Sequence, residues 1–314
     1  METENPFKNK TILITGANGW IGRKAYYVLS SLYQKVILVD CHEGEDPFNR
    51  FGLEGVESAN LPVLEIIKLD LVTEKKRFEN ILAEHHPDCI IHLAAVLENQ
   101  PPEKIQQNDV INHYVLDACT KRNIKVIAAS SIMVMYGAAM SSPKIKSLMQ
   151  GQAVILDESE KLGVDVPFNN TQESISEFDK DHVEQNLTYI KTKEALENYA
   201  SHLVEKNNTQ TIAIVRFGWT GIENPYLLEG THTRYTQTGI YLDEMDLHNF
   251  ITELVNAVLF EQVKGFNRYI CVSLHPKGSW VNCKNNFGWM PEVNIEDKFG
   301  FPSKLTNTPK ILPS

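Results

Sequence analysis

Five runs within the first 130 residues are apolar almost without interruption, and stretches of helix-forming residues separate them. They lie at residues 11–15, 35–40, 64–69, 88–95 and 125–130, and are rich in β-branched side chains. A strand with one wet face alternates apolar and polar residues, whereas these runs do not, so both of their faces must be covered. Between them, residues 22–33, 73–86 and 102–123 carry apolar positions three or four apart, the period of an amphipathic helix. Strands joined through helices run parallel, and right-handed crossovers place the helices on both faces of the sheet. A sixth strand at 211–217 follows a helix at 186–205, in which Leu196, Tyr199, Ala200 and Leu203 form an apolar stripe. The sequence therefore predicts a doubly wound parallel α/β sheet.

Composition narrows the partners. With 30 Lys+Arg against 40 Asp+Glu the formal charge is −10. A chain with that balance and no basic run is not expected to bind nucleic acid, whose affinity rests on Lys and Arg displacing condensed counterions. No run reaches the roughly 18 apolar residues that span a bilayer, and the first residues lack the basic then apolar layout of a signal peptide. The expectation is a cytoplasmic protein without a membrane partner. The five cysteines form no C-x-x-C pair, which suits reduced thiols rather than a disulfide framework, and no metal-ligand spacing occurs.

Thr15 to Gly22 (TGANGWIG) directly follows the first strand and opens the first helix. Glycines at 16, 19 and 22 permit a tight turn, close approach of a pyrophosphate to amides at a helix N-terminus, and close helix–strand packing. The second strand ends in Asp40, 18 residues beyond Gly22, where a carboxylate can accept from both adenosine ribose hydroxyls and would repel a 2′-phosphate. The expected cofactor is NAD. Asp70 and Leu71, after the third strand, are suited to the adenine edge, and an aspartate there serves equally well as a cap. Tyr189 and Lys193 form the only Y-x-x-x-K pair in the chain and lie one helical turn apart. An ammonium beside a phenol lowers its pKa, readying it to exchange a proton with a carbinol or carbonyl oxygen. The fifth strand ends at Ser130 and Ser131, on the carboxyl edge where such sheets bind ligands.

These residues resemble the extended short-chain dehydrogenases/reductases, the NAD-dependent epimerase/dehydratase family. TGANGWIG (15–22), Asp40, Asp70 with Leu71, HLAA (92–95), Asn108, ASS (129–131), Tyr189 with Lys193, and RFGWTG (216–221) occur in the family's order over roughly residues 8–260. Within it, residues 92–109, 125–137 and 273–297 are similar to segments of uronate dehydrogenases and related sugar oxidoreductases. The resemblance implies Tyr189 as acid/base, Lys193 as its ribose-binding partner and Ser131 as the hydroxyl that polarises the substrate oxygen. It implies a cofactor site of Gly16, Asn18, Gly19, Trp20, Ile21, Gly22, Asp40, Asp70, Leu71, Leu93, Ala94, Ala95, Asn108 and Lys193. Leu97, Ser131, Ile132, Trp219 and Arg234 would face the substrate. Leu97 and Trp219 stand where the uronate enzymes carry serines, and Ile132 replaces an Asn, so the expected site is bulkier and more apolar.

The implied architecture is Rossmann-like: residues 8–218 bind NAD and include an inserted acidic segment at 140–186. Residues 219–314 are mainly a small substrate-binding cap, with 244–273 returning to the core. Between Asp157 and Glu184 nine acids face two lysines, so this stretch holds −7 of the −10. The expected function is hydride transfer between NAD and a sugar-like or other hydroxyl or carbonyl small molecule. The alternatives are a nucleotide-sugar epimerase or dehydratase with tightly held NAD, and a non-catalytic NAD-sensing protein. Helices 102–123 and 186–205 are expected to pair two copies into a homodimer, as is common in the family.

Overall fold

A computed structural model of the chain describes residues 9–42, 66–135, 177–221, 240–274 and 284–299. Its centre is a seven-stranded sheet: β1 (Thr11–Thr15), β2 (Lys35–Asp40), β3 (Ile66–Lys68), β4 (Cys89–His92), β5 (Lys125–Ser131), β6 (Ile212–Phe217) and β7 (Phe266–Cys271). The spatial order is β3-β2-β1-β4-β5-β6-β7, and every neighbouring pair is parallel. Order reverses between β1 and β4, which opens a crevice at their carboxyl ends.

The helices are α1 (Trp20–Leu32), α2 (Lys75–His85), α3 (Pro102–Ile105), α4 (Gln107–Thr120), α5 (Glu177–Lys206), α6 (Glu244–Leu259) and α7 (Ile295–Phe299). Alternate residues of each central strand feed opposite cores. Ile12, Ile14, Cys89, Ile91, Ile127, Ala129, Ala213 and Val215 pack with α1 and α6. Leu13, Ile90, Val126, Ala128, Ile212 and Ile214 face the side of α2, α4 and α5. This explains the unbroken apolar runs, since neither face of the sheet meets water. No helix among the described residues is long and apolar enough to cross a membrane.

Two helical stretches differ from the sequence reading. The stretch 102–123 divides at Gln106 into α3 and α4. Helix α5 begins nine residues before the expected 186, because its opening stretch, poor in apolar residues, offers no stripe to read. The end of the acidic segment is thus helical, and the rest of it lies outside the described residues. Residues 284–299 close over α6 and β7: Trp289 lies 4.8 Å from Phe250, Phe287 lies 5.1 Å from Tyr269, and Asp246 accepts from the Glu292 amide at 2.7 Å. Cys89 and Cys271 sit in β4 and β7 and Cys119 in α4, all buried, and burial pushes the Cys89 thiol up to about 12.

Candidate active site

Glycine is required at two points of the β1–α1 turn. Gly16 has φ +69°, and a Cβ there would fall 2.5 Å from the Ala94 amide nitrogen. A Cβ on Gly22 would fall 2.3 Å from the Gly16 carbonyl oxygen. Turn, helix and the segment after β4 therefore approach more closely than any side chain allows. Gly19 caps α1 and has no side chain to cover the first-turn amides. Leu93 and Ala94 line the far side of the turn, with the Leu93 amide bound to the Thr15 carbonyl at 3.0 Å, and Ala95 follows them in the chain. These features fit a dinucleotide, since a diphosphate needs bare backbone at a helix N-terminus.

Asp40 sits beside this turn with its side chain largely buried. Its Oδ2 accepts from the Asn18 amide at 2.9 Å and its Oδ1 from the His42 amide at 3.0 Å. Asn18 Nδ2 donates to the His42 carbonyl at 2.6 Å, tying the turn to the end of β2. A carboxylate has about four acceptor sites, so two bonds leave capacity for ribose hydroxyls. Asp70 is bound within its own turn, accepting from the Val72 amide at 2.8 Å and from Thr73 Oγ1 at 3.0 Å. The Leu71 side chain enters the core on the side of α2, α4 and α5, and Ile21 packs partly against the opposite core, that of α1 and α6. Trp20 is exposed at the start of α1, and its Nε1 donates to Thr220 Oγ1 at 3.0 Å, joining the cofactor turn to the segment after β6.

Tyr189, Lys193 and Ser131 come together through α5 and β5. Lys193 is buried, and its Nζ donates to the Ala129 carbonyl at 2.7 Å, two residues before Ser131. The same nitrogen lies 5.4 Å from the centroid of the Tyr189 ring. Ser131 Oγ accepts from the Met133 amide at 3.2 Å, and Ile132 is buried beside it. The side chain of Asn108 grips the Val96 backbone at both ends, with Oδ1 accepting at 2.7 Å and Nδ2 donating at 2.8 Å. Its Nδ2 also meets Thr192 Oγ1 at 3.4 Å, so the β4 loop is tied to α5. Leu97 follows on that loop, 53% exposed, while Trp219 bridges to Tyr241 beyond β6. Arg234 lies outside the described residues.

The electrostatics depart from the sequence expectation. Burial, and then the charge of Glu98, push the Tyr189 phenol above its ordinary value, outweighing the expected help from Lys193. Burial pulls Lys193 down to about 8, while Glu98 and Glu197 act in the opposite direction. Neither acid is among the site residues expected from the sequence. Glu98 reaches the site only because Asn108 fixes its loop against α5. Glu197 did have a signal: it follows Lys193 by four residues, on the same helix face as Tyr189 and Lys193.

Residues 12–232 match the NAD dependent epimerase/dehydratase family. Among curated proteins, a UDP-glucose 4-epimerase of Rhizobium meliloti (strain 1021) is 25% identical over 171 residues, 52% of this chain and 44% of that one. A UDP-glucose 4-epimerase of Rhizobium leguminosarum bv. trifolii is 26% identical over 140 residues, 43% of this chain and 39% of that one. The chain thus matches less than half the length of these curated relatives. Among solved structures, a mutated uronate dehydrogenase superposes with TM-score 0.62 and 19% identity over 97% of this chain and 88% of that one. The dTDP-glucose 4,6-dehydratase of Bacillus anthracis, in complex with NAD, gives 0.56 and 14% over 93% and 94%. L-threonine 3-dehydrogenase of Trypanosoma brucei gives 0.54 and 18% over 84% and 75%. At these identities the structures share the fold. The family match takes in more than half of the chain and runs from β1 past Trp219, so the chain belongs to the NAD-dependent epimerase/dehydratase family, whose members are enzymes that use NAD.

Proposed function

We propose that the chain is an NAD-dependent oxidoreductase acting on a hydroxyl or carbonyl group of a sugar-like small molecule, with Tyr189 as its acid/base. One juxtaposition carries this reading: Lys193 anchors on Ala129, with Tyr189 one turn away on α5 and Ser131 two residues further along β5. Bound NAD supplies the hydride acceptor or donor at its nicotinamide ring. Tyr189 gives its proton to a carbonyl oxygen in the reducing direction and takes one from a hydroxyl in the oxidising direction. Burial and Glu98 keep that proton on the phenol at neutral pH, so donation is favoured there and oxidation speeds up as pH rises. Lys193 Nζ has three donors, of which the Ala129 carbonyl takes one. Below a pKa of about 8 it is an ammonium that draws the cofactor ribose and steadies the charge forming on Tyr189. Ser131 offers a hydroxyl to the reacting oxygen. Leu97, Ile132 and Trp219 give the substrate side an apolar character.

A second reading is favoured by the UDP-glucose 4-epimerase relatives: a nucleotide-sugar epimerase that reoxidises its cofactor in each cycle. The two are separated by offering the purified protein NAD with a panel of aldoses, uronates and nucleotide sugars. An oxidoreductase releases NADH in step with oxidised product, at a rate that rises with pH. Copurifying NAD with sugar interconversion and no net NADH selects the epimerase. NAD binding without any turnover selects a cofactor-sensing protein.

A further inference from the structure

Two successive turns of α5 grip two successive residues of β5. Lys193 Nζ holds the Ala129 carbonyl at 2.7 Å, and one turn on the Glu197 carboxylate accepts from Ser130 Oγ at 2.6 Å. Ser131 is the next residue of the strand. Glu197 also accepts a two-pronged bond from Arg216, Nε at 2.9 Å and Nη2 at 2.8 Å, and pairs with Arg268 Nε at 2.7 Å. Arg216 lies opposite Ser130 in the β5–β6 register, and Arg268 lies on β7. One carboxylate therefore joins α5 to three strands, and both Glu197 and Arg216 are fully buried.

As support for the fold alone this is a poor choice. Desolvating such charges is costly, and well-packed apolar residues are often as stabilising or more so. What the pairing supplies is direction, because a planar guanidinium and a carboxylate lock each other's orientation. The geometry points to Glu197 as a positioning residue of the reaction: it fixes the end of β5, and so the adjoining Ser131, in register with Tyr189 and Lys193 on α5. This rests on the roles given above to Ser131, Tyr189 and Lys193. The charges acting on Lys193 are Glu98 from the β4 loop and Glu197 on its own helix; His92 at the end of β4 is held neutral beside it by burial and by the Lys193 charge, and Tyr189 lies one turn before.

The experiment compares Ser130→Ala and Glu197→Gln with wild type, using the best substrate of the panel. Ser130→Ala removes the strand link and leaves the arginine pairs in place. It should bind NAD as wild type does while kcat falls about tenfold or more, the scale of a small misplacement of reacting groups. Glu197→Gln should bring the alkaline limb of the kcat profile for reduction, set by loss of the Lys193 ammonium, to lower pH. NMR titration of Lys193 in the cofactor-free protein should show the same downward change. Wild-type kcat and pH profile in the folded Ser130→Ala protein would reduce Glu197 to a structural pair, and so would an unmoved Lys193 titration in Glu197→Gln. If Glu197→Gln does not fold, Ser130→Ala decides the matter alone. Failure of the underlying assignment shows separately, as unimpaired turnover by Tyr189→Phe.

Discussion

A tyrosine and a lysine one turn apart are commonly pictured as a pair in which the cation pulls the phenol pKa down. Here both side chains are buried, and desolvation acts on each charged form: it raises the phenol and lowers the ammonium. Glu98 adds to the first effect and opposes the second. Replacing Glu98 by Gln removes a negative charge, so both pKa values should fall. The alkaline limb of kcat/KM for reduction, which follows loss of the Lys193 ammonium in the free enzyme, should move to lower pH. An unmoved limb would mean that Glu98 does not act on Lys193. The glycine turn, Asp40, Ser131, Tyr189 and Lys193 were legible because their chemistry is written in residue type and spacing. Glu98 was not, since its nearness to Tyr189 comes from a loop held by Asn108, and no spacing along the chain encodes that contact.

At the scale of elements, the buried imidazole of His92 joins β1, β4 and α4. Its Nδ1 lies 2.7 Å from Thr15 Oγ1 and its Nε2 3.1 Å from Asn112 Oδ1. Neutral imidazole satisfies both, accepting at one nitrogen and donating at the other. Burial first, and then the Lys193 charge, lower its pKa from 6.5 to about 4. Between those values the unfolded chain binds a proton that the folded chain refuses, so stability falls as pH drops through that window. The loss attributable to His92 is on the order of 3 kcal/mol. Urea midpoints measured across the window should decline for wild type and decline less for His92→Gln. Equal slopes would remove His92 as a source of the acid sensitivity. The central strands were readable from their continuous apolar runs. Among the described residues β3 spans Ile66–Lys68, and the early start of α5 is hidden in the sequence because an acid-rich opening has no periodic stripe.

Over the whole molecule, the strand order sets the chemistry at one edge of the sheet. The glycine turn, Asp40, the β4 loop and Ser131 all lie at carboxyl ends, and α5 brings Tyr189 and Lys193 to the same edge. The inner faces of α4 and α5 meet through Ile111, Val115, Leu196 and Ala200 in a common core, so the homodimer proposed from these helices has only their outer faces to use. Charge is concentrated as well, with −7 of the −10 between Asp157 and Glu184, a stretch that ends five residues before Tyr189. Phe287 and Trp289 of the tail, grouped by sequence with a substrate cap, pack against Phe250. Their irregular spacing gave no sign of which surface they would cover.

The most direct test of the account is Tyr189→Phe, which removes one hydroxyl and keeps the ring. The variant should bind NAD with wild-type affinity and lose NADH release by about a hundredfold or more, the scale of a missing general acid/base. NADH release by the variant at the wild-type rate would contradict the assignment of Tyr189 and the mechanism built on it.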